Sequence, residues 1–110
     1  MAETIKMRKD IPCDIRMLAD TLKDVLWSEL ICEEPVQNGS VLLLCFEQYY
    51  FRASNYVSLS VLLSDEAGQA RAVIVGSGGG DGLLNISWGA NRAIAKKAQR
   101  VLEENGFYRE

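Results

Sequence analysis

Polar and apolar positions alternate from residue 4 to residue 8, with Thr4, Lys6 and Arg8 on one side and Ile5 and Met7 on the other. A period of two predicts a short strand with one buried face. Pro12 then marks a turn or a first helical turn, with Asp10 or Asp14 as its N-cap. Apolar residues next recur at Ile15, Leu18, Ala19, Leu22, Val25 and Leu26, the stripe of an amphipathic helix. Arg16, Asp20, Lys23 and Asp24 form its opposite side. The helix is expected to end near Cys32, because Pro35 follows and disfavours helix just before it.

Gln37–Ser40 is a turn signal, and Val41–Phe51, apolar, aromatic and β-branched, predicts a long strand. Arg52–Asn55 is a short polar connection. Val57, Leu59, Val61 and Leu63 then alternate with Ser58, Ser60, Leu62 and Ser64, a half-buried strand of an antiparallel hairpin. Asp65–Gln69, with Gly68, makes the next hairpin turn, and Arg71–Val75 is a third consecutive strand. A second helix is expected from about Ser87 to about Asn105, with Ile94, Ala98, Val101 and Leu102 as its core stripe and Ala90 and Ala95 flanking it. Gly106 fits the left-handed position after that helix, where Phe107 can touch Leu102. The order is β-α-β-β-β-α. It implies an α+β fold, a mainly antiparallel sheet of about four strands with two helices on one face, in a single domain over residues 1–110.

Composition then removes chemistries. The chain is 48% hydrophobic and 25% charged, an ordinary globular mixture. It has no histidine, which excludes Ser–His and Cys–His nucleophilic catalysis and imidazole-based metal sites. Cys13, Cys32 and Cys45 contain no Cys-x-x-Cys pair, so a four-thiolate zinc site cannot form within one chain. Three widely spaced cysteines suit a reducing compartment, and the cytoplasm is the simplest expectation. Each reads first as a small buried hydrophobe. Glu47 and Gln48 interrupt the long strand, but no partner is visible that would make Glu47 a general acid or base. No enzyme activity, cofactor or metal is expected. The longest apolar run, Val41–Phe46, has six residues against about 20 for a membrane span, and residues 1–10 hold no apolar core, so neither a membrane segment nor a secretory signal is expected.

The net charge of −3 argues against a nucleic-acid partner. Charge is nonetheless uneven. Residues 10–34 carry seven acids against Arg16 and Lys23, whereas residues 85–102 carry Arg92, Lys96, Lys97 and Arg100 with no acid. The basic stripe reads as a solvated helix face, as a phosphate or nucleic-acid contact, or as a partner for the acidic first helix.

Gly76–Gly82 holds five glycines in seven residues between a strand and a helix. Such a turn can present backbone N–H groups to a phosphate. Neither Gly-x-Gly-x-x-Gly nor the Walker pattern fits, however, and Asp81 has the wrong sign. The simpler reading is a connection in which glycine supplies positive φ. The glycine run followed by Ile86-Ser87-Trp88-Gly89 and a Lys-rich amphipathic helix ending in Asn105-Gly106-Phe107 resembles a family of small bacterial proteins of unknown function. The resemblance implies a bacterial, cytoplasmic setting and no particular activity.

Two features point to self-association. Trp27 falls near the centre of the polar side of the first helix, with Ile31 one turn further, so a loop or a partner is expected to cover it. The long strand is apolar on both faces, with Val41, Leu43, Cys45, Tyr49 and Phe51 on one and Leu42, Leu44, Phe46 and Tyr50 on the other. Two helices cannot cover both faces of the sheet, and a second chain is the simplest cover. The expected function is therefore a non-enzymatic cytoplasmic domain that forms a homodimer, with Trp27, Ile31, Leu44 and Leu62 as interface candidates. The alternative is a small-molecule or phosphate-binding module built from Gly78, Gly79, Gly80, Gly82 and Arg92.

Overall fold

The computed structural model describes residues 2–26, 28–50, 55–78 and 86–110. Its elements are β1 (Glu3–Lys9), α1 (Ile15–Val25), β2 (Glu29–Val36), β3 (Val41–Tyr50), β4 (Asn55–Glu66), β5 (Gln69–Gly78), α2 (Ile86–Glu104) and β6 (Tyr108–Arg109). All strands pair antiparallel in one six-stranded sheet, in the order β2-β3-β4-β5-β1-β6. The α+β class and the two helices are as the periodicity predicts, but six strands replace the expected four.

Both extra strands lie at the sheet edges. Helix α1 stops at Val25 rather than near Cys32, and Glu29–Val36 pairs along β3 from Glu29↔Glu47 to Val36↔Val41. The physical reason is the outer ladder of β3. Its backbone groups need partners, and a helix running to Cys32 would supply none. Pro35 fits this role, because proline is tolerated on an edge strand where its missing N–H faces outward. Ile31 therefore lies on a strand and not one turn beyond Trp27 on a helix. Where a loop was expected to cover Trp27, Glu33–Val36 belongs to β2 and a 3-10 turn follows over Gln37–Gly39. At the other edge, Tyr108 and Arg109 pair with Arg8 and Met7, and the Glu110 N–H donates to the Lys6 carbonyl at 2.9 Å.

Local signals place the ends of the elements. Asp14 caps α1, its carboxylate accepting from the N–H groups of Arg16 at 3.1 Å and Met17 at 3.2 Å. Ala67 and Gly68 both have positive φ, the backbone of a two-residue hairpin turn between β4 and β5. At the end of α2 the Phe107 N–H reaches the Leu102 carbonyl and the Gly106 N–H reaches that of Glu103, with Gly106 at φ 93°. That is the Schellman closure predicted from Gly106 and Phe107.

Both helices lie on one face of the sheet. Leu42, Leu44 and Phe46 of β3, Val57, Leu59, Val61 and Leu63 of β4, and Ile5 and Met7 of β1 are buried beneath them. Strand β5 presents Ala70, Ala72, Ile74 and Gly76 to that face, and α2 answers with Ala95 and Ala98. Small residues on both sides let helix and sheet approach closely. A Cβ on Gly76 would overlap the Asn91 carbonyl of α2 and lie 3.3 Å from the Ile94 Cγ2.

Candidate functional site: the open face of the sheet

The alternation that buries one face of each strand sends the other residues to the opposite face, which no element of the described chain covers. Register sets its rows. Val36, Val41, Ser64 and Arg71 form one row across β2, β3, β4 and β5. Glu34, Leu43, Leu62, Val73 and Lys6 form the next, reaching β1. Cys32, Cys45, Ser60, Val75 and Thr4 form a third. Leu43, Leu62, Val73 and Val75 thus make a contiguous apolar patch at the centre of the face. Leu62 is 40% exposed and its neighbours Val41, Leu43, Val73 and Val75 are half-buried.

The rim of the patch is polar and ordered. On either side of β4, its Ser58 hydroxyl lies 2.9 Å from that of Ser77 on β5, and its Tyr56 meets Tyr49 of β3 edge to face with centroids 5.2 Å apart. The corner formed by β1, β5 and β6 carries an ion-pair network. Arg8 donates to Asp10 at 2.8 Å, Arg71 grips Glu110 through two bonds of 2.9 and 3.2 Å, and the Tyr108 hydroxyl donates to Asp10 at 2.6 Å. The Tyr108 hydroxyl and then Arg8 hold the Asp10 carboxyl below its ordinary range. Arg71 does the same for Glu110. Tyr108 is pushed up, because Asp10 accepts from its protonated form. The opposite edge is acidic, with Glu34, Glu47 and Glu29 in register on β2 and β3. The face therefore runs from an acidic edge, across an apolar centre, to a corner where Lys6 stands near the two ion-paired arginines.

Of the residues expected at an interface, Leu62 lies on this face and Leu44 does not. Leu44 is 0% exposed, opposite Val61 and under the helices, so its parity assigns it to the core; its neighbour Leu43 takes the surface position. Ile31 is 53% exposed on the edge strand, and Trp27 lies outside the described residues. Reading strand parity was enough to put Val41, Leu43 and Cys45 on one side of β3. Choosing which side faces the helices required the β3–β4 register. Val73 and Val75 were missed because a five-residue strand read in isolation does not show which valine is covered.

The glycine segment is only partly described. Gly79, Gly80 and Gly82 lie outside the described residues. Gly76 and Gly78 are strand residues of β5, and only Gly78 has positive φ, at 96°. Asn91, fully buried and not anticipated from sequence, donates from Nδ2 to the Gly78 carbonyl at 3.3 Å and ties α2 to the strand end. Arg92 is the next residue on α2 and is exposed. The ion pairs among the described residues join no residue of α1 to α2; Lys23 instead bridges Asp20 of its own helix at 3.1 Å and Glu33 of β2 at 3.0 Å. A concavity of about 240 Å³ is lined by Gln48, Ala93, Ile94, Lys97 and Arg100, on the basic side of α2. Among the described residues no group of three or more acidic, cysteine or histidine side chains is placed to hold a metal, and no helix is long and apolar enough to cross a membrane.

A family model described as a family of unknown function, DUF6054, matches residues 15–106, and the chain belongs to that family. The matched span includes both helices and strands β2 to β5, so the open face lies largely within it. A comparison with curated proteins finds no match.

Proposed function

We propose that this member of the DUF6054 family is a non-enzymatic cytoplasmic domain that pairs with a second copy of itself through the open face of its sheet. The observation that carries the reading is the uncovered apolar patch of Leu43, Leu62, Val73 and Val75. Sheets stack about 10 Å apart by interdigitating such faces. Strands β1 to β5, about 4.8 Å apart and paired over roughly eight residues, present a face of about 600 Å² in projection. That approaches the roughly 800 Å² per partner of a standard stable interface.

Charge favours a second copy as the occupant. A two-fold axis running parallel to the strands brings Glu34 of one protomer over Lys6 of the other, because the two lie in one row at opposite sides of the sheet. The same operator stacks apolar centre on apolar centre, as an isologous interface requires. The three free cysteines suit a reducing compartment.

The test is mass by light scattering across a concentration series. The wild type is expected at twice 12.2 kDa. Leu62→Glu and Leu43→Glu are expected to raise the dimer Kd at least about tenfold, since burying each leucine is worth about 1.5–3 kcal/mol, with unchanged circular dichroism. Leu44→Glu is expected to unfold the chain instead. Lys6→Glu should weaken pairing and Glu34→Lys in the same chain should restore it, a rescue that only self-pairing produces. A wild type that stays at 12.2 kDa at high concentration overturns the reading.

A further inference from the structure

Cys32 and Cys45 are Cα partners across the β2–β3 ladder. They are the first pair beyond the irregularity between Leu30 and Cys32, after which the register runs unbroken to Val36↔Val41. Residues directly opposite in an antiparallel ladder have Cα atoms about 4.5 or 5.5 Å apart, according to whether the pair is hydrogen-bonded. Both values fall inside the window of about 4.4–6.8 Å that a disulfide spans. Cys45 faces Cys32 across the ladder, and its thiol donates to the Ser60 hydroxyl on the next strand at 3.9 Å. Both cysteines are half-buried and free, and they sit at the outer end of the open face.

The strand they would anchor is the weakly held one. β2 is an edge strand with a neighbour on one side only, and every residue of it except Cys32 is exposed. Beyond its ladder with β3, the side-chain ion pair between Lys23 and Glu33 connects it to the rest of the fold. Edge strands with few buried contacts are where local opening occurs most readily.

We propose that Cys32 and Cys45 form a reversible thiol–disulfide site that locks the edge strand β2 onto the sheet. The oxidant is a small-molecule disulfide such as oxidised glutathione. One cysteine thiolate attacks it, releasing one reduced thiol and leaving a mixed disulfide. The second thiolate then displaces the other thiol and closes the intrachain bond. Two protein thiols are oxidised, one small-molecule disulfide is reduced to two thiols, and the two protons lost by the cysteines end on those thiols. Burial and the facing Cys45 hold the Cys32 thiol above its ordinary range, with Glu34 adding to the effect. Cys32 is therefore a slow nucleophile at neutral pH, suited to following a redox poise rather than trapping a brief oxidant pulse. The cross-link closes a short loop around the β2–β3 turn and removes the freedom on which opening of β2 depends.

The bond forms within one chain, so the experiment uses Cys13→Ser chains in both the wild-type and the Leu62→Glu background. Each is equilibrated with graded ratios of oxidised to reduced glutathione, then read by intact mass, peptide mapping and amide exchange. In both backgrounds a species lighter by the two lost hydrogens is expected, mapped to Cys32–Cys45 and reversed by reduced glutathione. Amides of β2 are expected to exchange at least tenfold more slowly in it, while those of β5 are unchanged. Cys45→Ser should abolish both effects. The proposal is overturned by glutathione adducts or intermolecular disulfides in place of the intrachain bond, by absence of any oxidised species, or by a bond that leaves β2 exchange unaltered.

Discussion

Gly76 shows how a single hydrogen in place of a methyl positions a helix. The residue has ordinary strand geometry, so its value lies in space and not in backbone freedom; a Cβ there would strike the backbone of Asn91. Backbone cannot rotate aside as a long side chain can, and α2 would have to shift away from β5. Gly76→Ala is therefore expected to destabilise the protein by about 1–3 kcal/mol, the range for overpacking, as measured by urea denaturation with an unchanged m-value. Asn91 depends on the same approach, since its side chain reaches the Gly78 carbonyl only while α2 sits close to the strand.

Among the elements, β6 is the one most dependent on charge. Two residues of strand pairing hold it, supplemented by the Tyr108–Asp10, Arg8–Asp10 and Arg71–Glu110 contacts. Asp10 and Glu110 are both depressed below their unfolded values of 3.8 and 4.5. Their contribution is complete above those values and is lost as pH falls through the lower folded values. Tyr108 is raised above 10.0, so its contribution is complete below that value and fades as pH rises through the folded one. Once corrected for intrinsic rates, protection of the Glu110 amide is expected to be flat between these limits and to fall on both sides. These groups are exposed, so global stability should barely follow. A protection profile unchanged down to pH 2 would remove the ion pairs from the account of β6.

Across the whole molecule, one sheet face carries both helices and the other carries none. A protein that closes its second face by pairing gains stability from mass action. The melting temperature of the wild type is accordingly expected to rise with protein concentration, and that of Leu62→Glu to be independent of it. Scanning calorimetry over a hundredfold concentration range checks this, and a flat wild-type series would contradict pairing through this face.

Periodicity alone determined much of this protein. The alternation in β4, the stripe in α1 and α2 and the Gly106 closure are written in local spacing, because each reflects interactions within a few residues; the cap was narrowed to Asp10 or Asp14, and the structure shows Asp14. The two-faced apolar character of β3 was equally legible, since side-chain parity in a strand is a property of the chain. Tertiary structure decided the rest. Residues 29–36 became a strand because β3 offers an unpaired ladder, which no local propensity encodes. Leu44 was turned under the helices and half-buried Leu43 to the open face by the β3–β4 register, a relation between segments nearly 20 residues apart. The Cys32–Cys45 pair, 13 residues apart in a sequence that shows no motif there, exists only because that ladder brings the two thiols face to face.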